Sequence, residues 1–132
     1  MREIKFRGYD LDANKWRYGN LVCAPEPFIA GDMVESNEKY CDLEFWWPVV
    51  SKSVGQFTGL LDKNGKEICE GDILSGFVDG NERVVMDVFA GRWCLETAKG
   101  HVSPLNSHSI LSREIIGNIY EHPELLEGKG GE

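Results

Sequence analysis

Gly55-Gln56-Phe57-Thr58-Gly59-Leu60-Leu61-Asp62-Lys63-Asn64-Gly65-Lys66-Glu67-Ile68-Cys69-Glu70-Gly71-Asp72-Ile73-Leu74 reads as two extended arms around one tight turn, then a second corner and a third strand. Asp62-Lys63-Asn64-Gly65 has the chemistry of a type I turn closed by a left-handed residue. Asp at the first position accepts hydrogen bonds from the turn backbone, and glycine takes positive φ without a Cβ clash. A three-residue hairpin loop with a glycine bulge follows, placing Asp62 opposite Lys66. Glu70-Gly71-Asp72 makes the next corner, and its residues, like those of the turn, have structural rather than catalytic chemistry.

Outward from this hairpin the chain keeps the same grammar. Ile4 and Phe6 alternate with Lys5 and Arg7, Asp10 to Asn14 supplies turn residues, and Lys15-Trp16-Arg17-Tyr18 resumes the alternation. This amino-terminal hairpin echoes the central one, with Asp12, Asn14 and Lys15 set against Asp62, Asn64 and Lys66. The spacing differs by one residue, which makes it a reused hairpin recipe and not a repeat. Pro25-Glu26-Pro27 breaks extended structure after the hairpin. Further on, Ile73 to Val78, Glu82 to Phe89, Arg92 to Thr97 and Glu114 to Tyr120 read as strands, with Asp79-Gly80-Asn81 and Ala90-Gly91 as turns. Lys99 to Arg113 is irregular, with Pro104 set against regular structure. Short strands separated by regular turn signals predict an all-β, mainly antiparallel fold, a small barrel-like or sandwich-like single domain with little helix. The domain is expected over residues 1–121, with residues 122–132 as a docked turn and flexible tail.

Three islands carry a family resemblance: Ile4-Lys5-Phe6-Arg7-Gly8-Tyr9-Asp10, the stretch from Gly55 to Ile73, and Ile115-Ile116-Gly117-Asn118-Ile119-Tyr120-Glu121-His122-Pro123-Glu124-Leu125-Leu126. In that order they resemble the YopX-like family, small proteins encoded by phages, prophages and plasmids. The resemblance implies a mostly-β fold of phage-related origin and transfers no catalytic residue. Residues 24–47 match none of its motifs.

Composition narrows the class of function. The 132 residues carry 14 basic and 22 acidic side chains, a formal net charge of -8, with 42% hydrophobic and 27% charged residues. That is the profile of a globular chain with its own core. No apolar run reaches the roughly 20 residues of a membrane-spanning helix, and no secretory signal opens the sequence. The expectation is a cytoplasmic protein without a membrane partner. Cys23, Cys41, Cys69 and Cys94 lack the close pairing of zinc or thioredoxin-like sites, so reduced, mostly buried thiols are expected.

The candidate chemistry is sparse. Glycine stands fourth in the central turn, where an EF-hand needs it sixth, and no Ser or Thr follows Gly65-Lys66 as a phosphate loop requires. Glu67, Glu70 and Asp72 are acidic neighbours at a corner, and His101, His108 and His122 stand at no ligand-like spacing. No catalytic residue, metal ligand or cofactor is expected, and the chain is read as not an enzyme. Two segments remain. Lys5, Arg7 and Tyr9 share a strand face, are placed to meet Arg17, and lie beside Trp16 and Tyr18 as in a single-strand nucleic-acid surface. Turned the other way, the same alternation makes a solvated outer face with buried aromatics. Residues 24–47 form a long acidic connection placed to carry a partner surface, with Glu35, Glu38, Asp42 and Glu44 to steer a basic partner and Phe28, Tyr40 and one of Trp46 or Trp47 as anchors. The alternative is that both Trp rings are core and the acidic loop keeps the domain soluble or covers an edge strand. Adjacent Trp46 and Trp47 point to opposite sides, one ring inward and one near the surface. The leading reading is a noncatalytic protein-interaction module with a host or phage protein as partner, self-association left open. A nucleic-acid-binding β-barrel and a small hydrolase are the alternatives, with nucleic acid disfavoured by the net charge.

Overall fold

The computed structural model describes residues 4–23, 26–31, 35–36, 41–42, 46–76 and 80–126, with only the backbone described at 35–36 and 41–42. The protein is nearly all antiparallel β, 51% strand and 6% helix, and its sheets do not close into a barrel. The chain divides into two compact units, Met1–Phe57 and Thr58–Glu132.

In the first unit β1 (Phe6–Asp10) and β2 (Lys15–Cys23) form the amino-terminal hairpin, pairing Phe6 with Gly19 through to Asp10 with Lys15. Strand β3 (Pro27–Ala30) pairs with β2, and β6 (Trp46–Pro48) pairs with β3, so β6 is the edge strand among the described residues. On the other side β1 pairs with the start of β7 (Gly55–Leu61) at Arg7 and Gly55. In the sequence between β3 and β6, β4 (Glu35–Ser36) and β5 (Cys41–Asp42) pair as a separate two-stranded ribbon. β2 ends at Cys23 and β3 begins at Pro27, so extended structure is interrupted at this proline-rich stretch as expected, and Pro27 itself opens β3, a place where a missing N–H costs no ladder bond. Ile29 and Ala30 are buried, and Val49 packs so closely on Gly8 that a Cβ there would stand 2.6 Å from Val49 Cγ2.

In the second unit the rest of β7 turns into β8 (Glu67–Cys69), followed by β9 (Asp72–Leu74), β10 (Glu82–Asp87), β11 (Arg92–Thr97), β12 (Val102–Pro104) and β13 (Ile115–Asn118). The five later strands form one sheet in the order β12-β11-β10-β9-β13. Pro104 therefore does lie in a strand, at the end of the edge strand β12, where a lost donor is harmless. Ile68, Leu74, Val84, Leu95, Leu105 and Ile110 pack as one buried cluster, with Leu60, Trp93 and Ile115 against it. The central hairpin thus packs beside the Val84 strand, as its alternation predicts. A short 3-10 turn at Pro123–Leu125 is held by Asn81, whose Nδ2 donates to the Leu125 carbonyl at 2.9 Å. The remainder of the tail lies outside the described residues.

Candidate functional site

The signature residues of the central stretch serve its own architecture. Asp62 is 5% exposed, and its Oδ1 accepts from the N–H groups of Asn64 at 2.8 Å and Lys66 at 2.9 Å. Gly65 donates to the Asp62 carbonyl at 3.0 Å and has φ +83, the turn and glycine bulge read from the sequence. Burial alone raises the Asp62 carboxyl. The N–H groups of Ile115, Lys66 and Asn64, with the Lys66 charge, outweigh burial and hold it below its ordinary value. At the next corner the Cys69 N–H donates to Asp72 Oδ2 at 2.7 Å, in a residue 2% exposed. In the closing motif Asn118 N–H donates to His122 Nδ1 at 3.2 Å, and Asn118 Oδ1 accepts from Glu121 N–H at 2.8 Å. Buried Glu82 and partly buried Arg113 form an ion pair at 2.7 Å. Among the described residues, no group of three or more His, Cys, Asp or Glu is gathered to hold a metal ion.

The basic hairpin is arranged differently from the expectation. Arg7 pairs with Tyr18 and Arg17 with Gly8, and directly opposed residues share a face, so Arg17 lies on the face opposite Arg7. Each guanidinium covers a different indole. Arg7 stands 4.5 Å from the Trp16 ring, itself edge-on to Tyr9 at 5.3 Å, while Arg17 stands 4.3 Å from Trp47. Arg17 Nε also meets Asp10 Oδ2 at 3.0 Å. Lys5 lies over Phe57 at 5.4 Å, and Arg7 is only 6% exposed. These cations are built into the packing of the hairpin, each against an aromatic face.

Of the predicted partner-binding residues, Glu35 and Asp42 are backbone neighbours across β4 and β5. Glu38, Tyr40 and Glu44 lie outside the described residues. Trp46 and Trp47 separate as the extended backbone requires. Trp47 is half-buried against Arg17, whereas Trp46 is 53% exposed on the edge strand, edge-on to Phe28 at 5.3 Å. The structure thus brings together Trp46 and Phe28 as an apolar pair at a sheet edge.

One relationship escapes the sequence reading. The residue of the amino-terminal hairpin that does the work of Asp62 is Asp10, not Asp12. Its Oδ1 accepts from Asp12 N–H at 3.0 Å and Ala13 N–H at 3.3 Å, Asn14 has φ +56, and Asp10 pairs with Lys15. Asp87 repeats this step for step. Its Oδ1 accepts from Phe89 N–H at 3.1 Å and Ala90 N–H at 3.2 Å, Gly91 has φ +67, and Asp87 pairs with Arg92. The legible signal is Asp10-Leu11-Asp12-Ala13-Asn14-Lys15-Trp16 against Asp87-Val88-Phe89-Ala90-Gly91-Arg92-Trp93, with Asp, Ala, a left-handed residue, a cation and Trp at equal spacing.

A comparison with curated proteins finds no match. Among solved structures, the chain is similar to the crystal structure of protein EF1440 from Enterococcus faecalis, at 26% identity and a TM-score of 0.67, over 96% of this chain and 99% of that one. The family model described as YopX protein matches residues 5–127. That span takes in nearly all of the three signature islands and parts of both compact units, and the chain belongs to the YopX family.

Proposed function

We propose that the chain is a noncatalytic accessory protein of a phage or prophage, acting in the cytoplasm by binding another protein. The observation that carries this reading is the Trp46–Phe28 pair, a half-exposed indole on an edge strand packed edge-on against a second ring. Exposed aromatics of this kind are the usual anchors of protein interfaces. The acidic residues Glu35, Glu38, Asp42 and Glu44, which precede Trp46 in the sequence, supply the steering charge that this reading assigns toward a basic partner. The signature carboxylates Asp62 and Asp72 are engaged with backbone N–H groups, which favours a structural role for the motif over catalysis. The engagement of Arg7 and Arg17 with Trp16, Trp47 and Asp10 favours a protein partner over a phosphate backbone.

The test begins with affinity isolation from the natural host and identification of retained proteins by mass spectrometry. The purified partner is then titrated with the parent, with Trp46→Ala, and with a variant neutralised at Glu35, Glu38, Asp42 and Glu44. Weaker binding by Trp46→Ala and a slower, less salt-sensitive association by the neutralised variant are expected. Parent-like binding by both variants would sink this reading of the surface.

A further inference from the structure

Asparagine followed by glycine carries a latent reaction, because glycine has no Cβ to keep its nitrogen away from the preceding side-chain amide. Of the seven asparagines in the chain, only Asn64 precedes a glycine. Asn64 and Gly65 are both exposed in the turn of the central hairpin, and a Cβ built on Gly65 would meet nothing within 4 Å. Water and base therefore reach the pair. The folded turn nonetheless holds both reacting groups in other bonds. The Gly65 N–H donates to the Asp62 carbonyl at 3.0 Å, and Asn64 Nδ2 donates to Glu114 Oε1 at 3.1 Å. The Asn64 N–H is fixed on Asp62 Oδ1 at 2.8 Å. While these bonds last, the nitrogen keeps its proton and the side-chain amide stays tethered.

We propose that Asn64–Gly65 is a spontaneous deamidation site, gated by the Asp62 clamp, that irreversibly marks chains whose central turn has opened. On local opening, base removes the Gly65 amide proton and the freed nitrogen attacks Asn64 Cγ. A bond forms between Gly65 N and Asn64 Cγ, the Cγ–Nδ2 bond breaks, and Nδ2 leaves as ammonia with a proton from the medium. Water then opens the five-membered imide at either of its carbonyls. One product is aspartate at position 64, and the other is an isoaspartyl link with an additional main-chain carbon. Nothing is oxidised or reduced. Either product removes the amide donor that meets Glu114 and adds a negative charge beside it. The isoaspartyl link also lengthens the turn, which loses the geometry in which one Asp62 carboxylate serves Asn64, Lys66 and Ile115. None of this depends on a partner protein.

The full chain is incubated at mildly alkaline pH, native and in denaturing guanidinium chloride. Conversion at each asparagine is followed by peptide mass spectrometry, with aspartate and isoaspartate separated by chromatography. In denaturant Asn64 should convert faster than every other asparagine. In the native chain its conversion should be slower by about tenfold or more, the protection of a turn that is mostly closed. Asp62→Asn, shown by circular dichroism to be folded, should raise the native rate about fivefold or more, the factor expected from one lost buried bond. Gly65→Val, measured in denaturant where folding plays no part, should suppress conversion at Asn64. Equal rates in the native and denatured parent overturn the proposal, as does a folded Asp62→Asn that converts at the parent's native rate. So does denatured conversion at Asn64 that is no faster than at the other asparagines, or that Gly65→Val leaves unchanged. The purified isoaspartyl form should melt below the parent, and a melt at the parent's temperature overturns the loss of turn geometry.

Discussion

Asp62 Oδ2 accepts a hydrogen bond from the Ile115 N–H at 2.9 Å, across 53 residues of sequence, while Oδ1 of the same carboxylate holds its own turn. One side chain therefore closes the central hairpin and fastens the closing strand β13 beside it. Lys63 N–H donates to the Arg113 carbonyl at 3.0 Å and extends the same junction.

Replacing Asp62 by Asn should therefore cost more than a turn substitution. The amide keeps one acceptor, so at least one backbone donor among Asn64, Lys66 and Ile115 loses its bond. A loss of about 1–3 kcal/mol is expected for a buried donor left unsatisfied. Chemical denaturation at neutral pH measures it, and a loss below a few tenths would contradict the bridging role.

The same carboxylate makes stability pH-dependent. The folded-state value of Asp62 is depressed, burial being outweighed by backbone donors and Lys66. Asp10 is depressed too, with burial outweighed by Arg17 and by the N–H groups of Ala13 and Asp12. A depressed carboxyl stabilises the fold fully above its unfolded value and loses that contribution as pH falls through its folded value. The melting temperature of the parent should drop below about pH 4, near the unfolded aspartate value. In Asp62→Asn the drop should be shallower, because the titrating group is gone.

Two glycines should respond to substitution for different reasons. Gly65 has φ +83, and a Cβ added there would meet nothing within 4 Å, so Gly65→Val is penalised by backbone strain alone, on the order of 1–3 kcal/mol. Gly8→Ala instead collides with Val49. Adding Val49→Ala should recover part of the loss at Gly8 and none at Gly65. Denaturation curves of the two double variants decide this.

Generic DNA or RNA should bind weakly at physiological salt, since Arg7 and Arg17 are packed on indole rings. The Lys5/Arg7/Arg17 triple Ala variant is expected to lose stability rather than a nucleic-acid activity. Submicromolar, salt-sensitive binding by the parent would reverse this assignment.

Native thiol labelling should separate the cysteines by burial. Cys23 is exposed and should react at once, while buried Cys69 and Cys94 should wait for unfolding. Under denaturing, nonreducing conditions all four cysteines should titrate as thiols.

Local chemistry makes much of this fold legible in the amino-acid sequence. The Asp62–Gly65 turn, the alternation through Phe6 and Val84, and the divergence of Trp46 from Trp47 depend on bonds and periods spanning a few residues, so the chain states them directly. What tertiary structure alone decided are the relations set by register and by distant segments. Alternation places Arg17 to meet Arg7, but pairing with Gly8 turns it to the other face and onto Trp47. Pro27 and Pro104 have the chemistry of breakers, and their places at a strand start and on an edge make them tolerable. The second bond of Asp62 needs Ile115, which no local pattern could bring near. Phe89 continues the alternation of Val85 and Asp87, yet the strand ends at Asp87 because that carboxylate captures the next N–H groups and folds the chain back. Burial at that position was decided by where the turn fell, since a side chain two residues past the last strand pair has no sheet to pack against.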